Sequence, residues 1–258
     1  MRLSREIRAY LAPSAAPDGG NGWAGRPVSD GLDPFVVIRA VLDGPVGADT
    51  GFVCNITEVD RVLRGDVLEL LRRMRRDGRA VAPPLIELAH AAAERFPAPL
   101  RLIELELSSS PYTRYRWVAG ASGMIYVTQS FEFSASHRLH SPRLSESENF
   151  TVFGKCANPS GHGHNYVLEV AVGGEPDAHG RIVELARLDR AVRERVIDAF
   201  DHKHLNLDCP EFAALNPTVE NIARVIWDKL DGALPATLHK VRLYETPKTF
   251  AEYAGKGV

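Results

Sequence analysis

His162 and His164 stand two apart in the run GKCANPSGHGHNYVLEV, and the residues after them alternate apolar and polar. In an extended strand that spacing puts both imidazoles on one face, with Tyr166, Leu168 and Val170 continuing the row. Upstream, Phe131, Phe133, Ala135 and His137 share a face of a second alternating run. A third imidazole can therefore meet the pair from a neighbouring strand. Three histidines with one open position are a normal catalytic zinc set, so Zn2+ is the expected ion. Cys156 lies in a polar Gly/Lys/Asn/Pro loop and not in an apolar run, which makes it the candidate reactive thiol.

The elements that must position these groups are legible in order. A strand over Glu6 to Leu11 precedes a Pro/Gly/Asp/Asn-rich loop, Pro13 to Pro34, and a buried strand, Phe35 to Leu42. A short strand over Phe52 to Ile56 leads to a helix capped by Thr57 that runs to about Arg76. Pro83-Pro84 opens the helix Leu85 to Arg95, and the alternating strand Leu100 to Leu107 closes the unit. A linker follows, with an aromatic-basic patch at Tyr112 to Trp117. The second half repeats this order: strand Ile125 to Ser136, an irregular loop, strand Asn165 to Val172, and a short strand Arg181 to Leu185. Helices over Leu188 to Ala199 and Val219 to Leu230, then the strand His239 to Tyr244, complete it.

The repeat is visible in residues as well. PFVVIRAVL sits where NYVLEVAVG sits, GFVCNITEVDRVL matches GRIVELARLDRAV, and PPLIELAHAAAERF matches NPTVENIARVIWDKL, which puts Glu87 opposite Glu220. The offset is roughly 130 residues, the mark of a duplication at domain scale. Opposite His162 and His164 the first half has Gly31 and Asp33; opposite Cys156 it has Gly25 or a neighbour, and opposite Glu245 it has Leu107. The first half is thus read as a degenerate structural domain, residues 1–118, and the second as the zinc-binding catalytic domain, residues 124–258.

Apolar content of 45% and charged content of 25% are those of a soluble folded chain. A net charge of −2 gives no support to a nucleic-acid binder. Cys54, Cys156 and Cys209 are too few for a disulfide scaffold. No run approaches the ~18 apolar residues of a spanning helix, and the N-terminus lacks the apolar core of a signal peptide, so no membrane partner and a cytoplasmic location are expected.

FSASHRL, GKC-x5-HGHNY, DHKHLN, NPTVENIA and YET together resemble the 6-pyruvoyltetrahydropterin synthase family, over about Tyr126 to Tyr253. The resemblance implies an α+β tunnelling fold: here two tandem units, each a four-stranded antiparallel sheet with two helices on one face. It implies zinc on His137, His162 and His164, Cys156 as general base, and an Asp201–His202 pair that tunes proton transfer. Glu245 would anchor the pterin ring, with Thr218 and Glu220 at a helix start completing the substrate contacts. Lys155, Arg138 and Arg143 are candidate triphosphate contacts on charge alone. The match departs at Glu184 to Leu188, where the family commonly has an Asp-Phe pair and this chain reads ELARL.

The substrate implied is 7,8-dihydroneopterin triphosphate and the product 6-pyruvoyltetrahydropterin. The alternative is the 6-carboxytetrahydropterin synthase of queuosine biosynthesis, which releases acetaldehyde as well; five residues between Cys156 and His162 resemble the pyruvoyl-forming enzymes, where the carboxy-forming ones usually have three. A non-catalytic zinc- or pterin-binding scaffold is the reading outside enzymes. The family closes three units into a barrel and stacks two barrels, with active sites between units. Two units per chain then imply a homotrimer, the simplest of the homo-oligomers open to it.

Overall fold

The computed structural model describes residues 1–11, 31–78, 82–121 and 123–255. Position 25, set against Cys156 in the repeat, and most of the loop from Pro13 to Pro34 lie outside them. The chain divides into two compact units, Met1–Val127 with Gly173–Ile182, and Thr128–Val172 with Val183–Val258.

In the first unit β1 (Arg2–Tyr10), β2 (Phe35–Asp43), β3 (Arg101–Ser110) and β4 (Thr113–Val118) pair antiparallel in chain order. Alternation in β2 buries Val36, Ile38, Ala40 and Leu42 on one face. The other face is ionic, with Arg39 bridging Glu104 at 3.0 Å and Glu106 at 3.1 Å. The covering helices are α1 (Ile56–Val62), which passes through a π-helical segment, Leu63–Leu68, into α2 (Glu69–Arg76), and α3 (Leu85–Ala93). They bury Val59, Val62, Leu63, Val67, Leu71, Leu85, Leu88 and Ala92.

The second unit orders its strands β5 (Ile125–His137), β6 (His162–Gly174), β8 (Thr237–Thr246) and β9 (Thr249–Tyr253). The short β7 (Lys203–His204) pairs parallel with β5, Ser136 opposite His204. Between β5 and β6 lie α4 (Glu146–Phe153) and a 3-10 turn, Gly154–Ala157. After β6 come α5 (Leu185–Val192), a π-helical segment Arg193–Ile197, α6 (Asp198–Phe200), α7 (Leu205–Asp208) and α8 (Val219–Leu230). The apolar stripe of α8 (Val219, Ile222, Ala223, Ile226, Leu230) is buried with Phe133, Tyr166, Leu168 and Leu243 of the strands. No described helix is long and apolar enough to cross a membrane.

Five local expectations are corrected. Residues 52–55 form no strand; Asn55, not Thr57, caps α1, its side chain accepting the Thr57 N–H at 3.0 Å. Residues 181–184 are a loop, because the Asp177 carboxylate takes the N–H groups of His179 and Arg181 and turns the chain before α5. The stretch between β5 and β6 contains a helix, started by a Ser145–Glu148 capping box. The aromatic-basic patch after Pro111 is β4, whose alternate residues Thr113 and Tyr115 are buried.

Candidate metal centre and active site

β5 and β6 deliver His137, His162 and His164 to one place: one ring nitrogen from each lies within 4.8 Å of the others. His137 is 0% exposed. Its Nδ1 is 2.7 Å from the Pro217 carbonyl, which can only accept, so Nδ1 carries the hydrogen and Nε2 the lone pair. That Nε2 faces His162 Nε2 at 3.1 Å. Burial, with the neighbouring imidazoles, pushes the His137 pKa down to about 4, and burial and His164 also lower that of His162. Neutral imidazoles are what a metal requires of its ligands.

The donor set fits a cation of zinc type. In a tetrahedral site with bonds of about 2.0–2.1 Å, ligand nitrogens stand ~3.3 Å apart, close to the His137–His162 separation. His164 Nε2 is buried without a hydrogen-bond partner among the described residues, which is costly unless another acceptor of its lone pair is at hand. Gly161 permits the approach: it has φ +71°, and a Cβ there would lie 2.9 Å from both the His137 carbonyl oxygen and His204 Nε2.

Glu245, at the end of β8, puts Oε1 3.4 Å from both His137 Nε2 and His164 Nε2. Its charge also reaches Cys156, whose thiol is pushed up by burial and then by Glu245. The polypeptide alone therefore opposes thiolate formation. Tyr166, 0% exposed and stacked on Phe133 at 5.0 Å, presents its edge toward the rings of His137 and His164, and burial raises its phenol strongly. Its hydroxyl has no hydrogen-bond partner among the described residues.

Asp201 and His202 form a second cluster. Asp201 Oδ1 accepts the Ser134 N–H at 2.8 Å and Oδ2 accepts from His202 Nδ1 at 2.8 Å; these bonds hold the carboxyl below its usual range. The His202 N–H donates to the Ser134 carbonyl at 2.6 Å, which holds the residue at φ 57° with its ring 83% exposed. His202 and His164 line one cavity of about 600 Å³ together with Ser134, Ser136, Asn165 and Asp208. Cys156 and Glu245 are not among its walls, and no bond among the described residues joins the pair to Cys156.

The remaining expected contacts differ in their surroundings. Thr218 is the N-cap of α8, accepting the Asn221 N–H at 3.4 Å, and Glu220 is exposed in the first turn. Arg143 and Lys155 are surface residues, Arg143 lining a cavity of about 800 Å³ with His140, Asn206 and Asn216. Arg138 lines the same cavity, with Nε on the Ala157 carbonyl at 2.9 Å and Nη2 on the exposed Glu146 at 3.0 Å. Sequence reasoning missed Tyr166 and His204 as neighbours of the cluster. Tyr166 was in view as the third member of the His162 face; nothing local marks His204.

The family described as 6-pyruvoyl tetrahydropterin synthase matches residues 126–256, just over half of the chain. The human 6-pyruvoyl tetrahydrobiopterin synthase is 47% identical over 132 residues, 50% of this chain and 91% of that protein. A 6-carboxy-5,6,7,8-tetrahydropterin synthase from Haemophilus influenzae is 26% identical over 151 residues, 50% of this chain and 99% of that protein. The solved 6-pyruvoyl tetrahydropterin synthase of Caenorhabditis elegans superposes with a TM-score of 0.50 at 40% identity, covering 52% of this chain and 96% of the other.

Proposed function

The chain belongs to the 6-pyruvoyl tetrahydropterin synthase family, and from that premise we propose that it is a zinc-dependent lyase. It converts 7,8-dihydroneopterin triphosphate to 6-pyruvoyltetrahydropterin with loss of triphosphate. The observation that carries this reading is the convergence of three imidazoles beside Glu245. The carboxy-forming alternative is less supported, at 26% identity against 47% for a pyruvoyl-forming relative.

In this reading His137, His162 and His164 hold the ion, which when bound supplies positive charge at the side-chain oxygens of the substrate. Cys156 takes a side-chain proton as general base. Glu245 accepts N–H groups of the pterin edge, and Thr218 and Glu220 border the ring. Asp201 keeps the proton of His202 on Nδ1, so that Nε2 passes protons to and from the substrate. Triphosphate leaves with its bonding electron pair, and the ring is reduced as the side chain is oxidised, so no external oxidant is needed. The separation of the Asp201–His202 pair from Cys156 supports a site completed by a neighbouring chain.

The first unit is read as a degenerate copy, residues 1–118, of the catalytic domain, residues 124–258. Leaving aside the second unit's insertions (α4 with its 3-10 turn between β5 and β6, and β7 with α7 before α8), both units run strand, strand, helix with a π-helical segment, helix, strand, strand, which supports a tandem tunnelling fold. Three chains would supply six units, hence a homotrimer with three metal sites.

Mass analysis of the product formed from 7,8-dihydroneopterin triphosphate tests the reaction. Pyruvoyl product with triphosphate is expected; release of acetaldehyde would establish the carboxy-forming reaction, and no turnover a binding scaffold.

A further inference from the structure

We propose that Arg138 is a positioning residue for Cys156, transmitting the placement of the His137 strand to the turn that bears the thiol. The inference rests on the reading of Cys156 as base. Arg138 follows His137 directly at the end of β5. Its Nε–H donates to the Ala157 carbonyl at 2.9 Å, and the next residue, Leu139, donates its N–H to the Cys156 carbonyl at 2.9 Å. Two successive carbonyls of the 3-10 turn are thus docked on the two residues after a metal ligand.

The backbone of Arg138 is itself clamped. Asn206 accepts the Arg138 N–H on Oδ1 at 2.8 Å and donates Nδ2–H to the Arg138 carbonyl at 3.0 Å. Asn206 lies four residues beyond His202, so the clamp joins the segment of the second cluster to the strand of the first. The outer arm of the guanidinium reaches Glu146 Oε2 at 3.0 Å, and Glu146 also holds His140 Nε2 at 3.1 Å. Glu146 is 74% exposed, so that ion pair contributes little by itself. The bond to Ala157 lies in a turn whose Ala157 is buried, and together with the Leu139–Cys156 bond it ties the turn to the end of β5.

The planar fork bonds a carbonyl through Nε and a carboxylate through Nη2 from two fixed positions, which the single nitrogen of an ammonium does not reproduce. Arg138 lines the same cavity as Arg143, but with Nε on Ala157 and Nη2 on Glu146 it is read as a positioning residue rather than as the triphosphate contact that charge alone suggests. The two roles separate kinetically: losing a phosphate contact raises KM, whereas misplacing a base lowers kcat.

The test uses full-length Arg138→Ala, Arg138→Lys, Asn206→Ala and Cys156→Ala. Arg138→Ala is expected to lose about tenfold to a hundredfold in kcat, the scale of a base displaced by a fraction of an ångström, with KM and metal content unchanged. Added guanidinium at millimolar concentration should restore part of the Arg138→Ala turnover and none of the Cys156→Ala turnover. Should Arg138→Ala fail to fold, Arg138→Lys decides: a lowered kcat at constant KM and metal content sustains the proposal. Unchanged kcat in the Arg138 variants overturns it, as does a rise in KM alone or a loss of metal. Cys156→Ala with wild-type turnover would instead sink the base assignment on which it rests.

Discussion

If Cys156 and His202 meet only across a chain boundary, two inactive variants should repair one another. The perturbation is to mix Cys156→Ala chains with His202→Ala chains. Within one chain Asp201 and His202 are bonded to Ser134, and His202 opens with His164 on a cavity lined by Ser136 and Asn165, while Cys156, which is under the charge of Glu245, is not among its walls. A mixed site is complete when the chain giving the cysteine carries the His202 change and its neighbour carries the Cys156 change. With random assortment at equal concentration each condition holds half the time, so about one quarter of wild-type turnover should return in a symmetric oligomer. The assay is initial rate after co-refolding, with two affinity tags to establish that mixed oligomers formed. Mixed oligomers without activity would mean that each chain builds its own site, and the shared-site reasoning would fall.

Three further outcomes are expected. His162→Ala should take metal content from about one ion per chain to none by elemental analysis, since the remaining two nitrogens leave an incomplete set; two ions per wild-type chain would contradict a degenerate first unit. Cys156→Ala should keep its metal and lose about 10²–10⁴ in kcat, the range of a general base; turnover above half of wild type would move the base elsewhere, His202 first. Cys209 is buried, with Sγ 3.5 Å from the Ala199 carbonyl, and burial pushes its thiol from near 9 up to about 11. Folding thus favours the protonated form, so its contribution is whole below pH 9 and is lost as pH rises to 11, on the order of 2–3 kcal/mol at ~1.4 per pKa unit. Urea unfolding at pH 8 and pH 10.5 should show a steeper loss for wild type than for Cys209→Ala; parallel losses would refute the burial argument.

The histidine cluster was legible because strand alternation is a strict period of two: His162, His164 and Tyr166 had to share a face, and Phe133 and His137 likewise. The helix α8 was legible for a similar reason, with Thr218 as cap and an apolar stripe ending at Leu230. What failed lay where side chains compete for backbone groups. Asn55 took the cap from Thr57, and Asp177 made a turn of an apparent strand. The signal for α4 was present as Ser145-x-x-Glu148, but its exposed Phe150 and Val152 give no buried stripe to read. The ties that place Cys156 join residues far apart in sequence, Arg138 to Asn206 and Leu139 to Cys156, and no local pattern encodes them.

The electrostatics of the pocket explain why its parts belong together. Burial keeps His137 neutral down to about pH 4, burial and Glu245 hold the Cys156 thiol protonated, and Tyr166 keeps a phenol in the same environment. Each effect penalises charge, and a carboxylate lies 3.4 Å from two ring nitrogens that cannot both donate to it. His137 Nε2 is a lone pair by the tautomer that Pro217 imposes, so the approach of Glu245 to it is unfavourable for the protein alone. A dication among the three nitrogens would change this balance: it would keep the imidazoles neutral, attract the carboxylate and favour the thiolate. The same geometry is thus poorly satisfied as bare polypeptide, which is the physical reason a cluster of this kind could hold a metal.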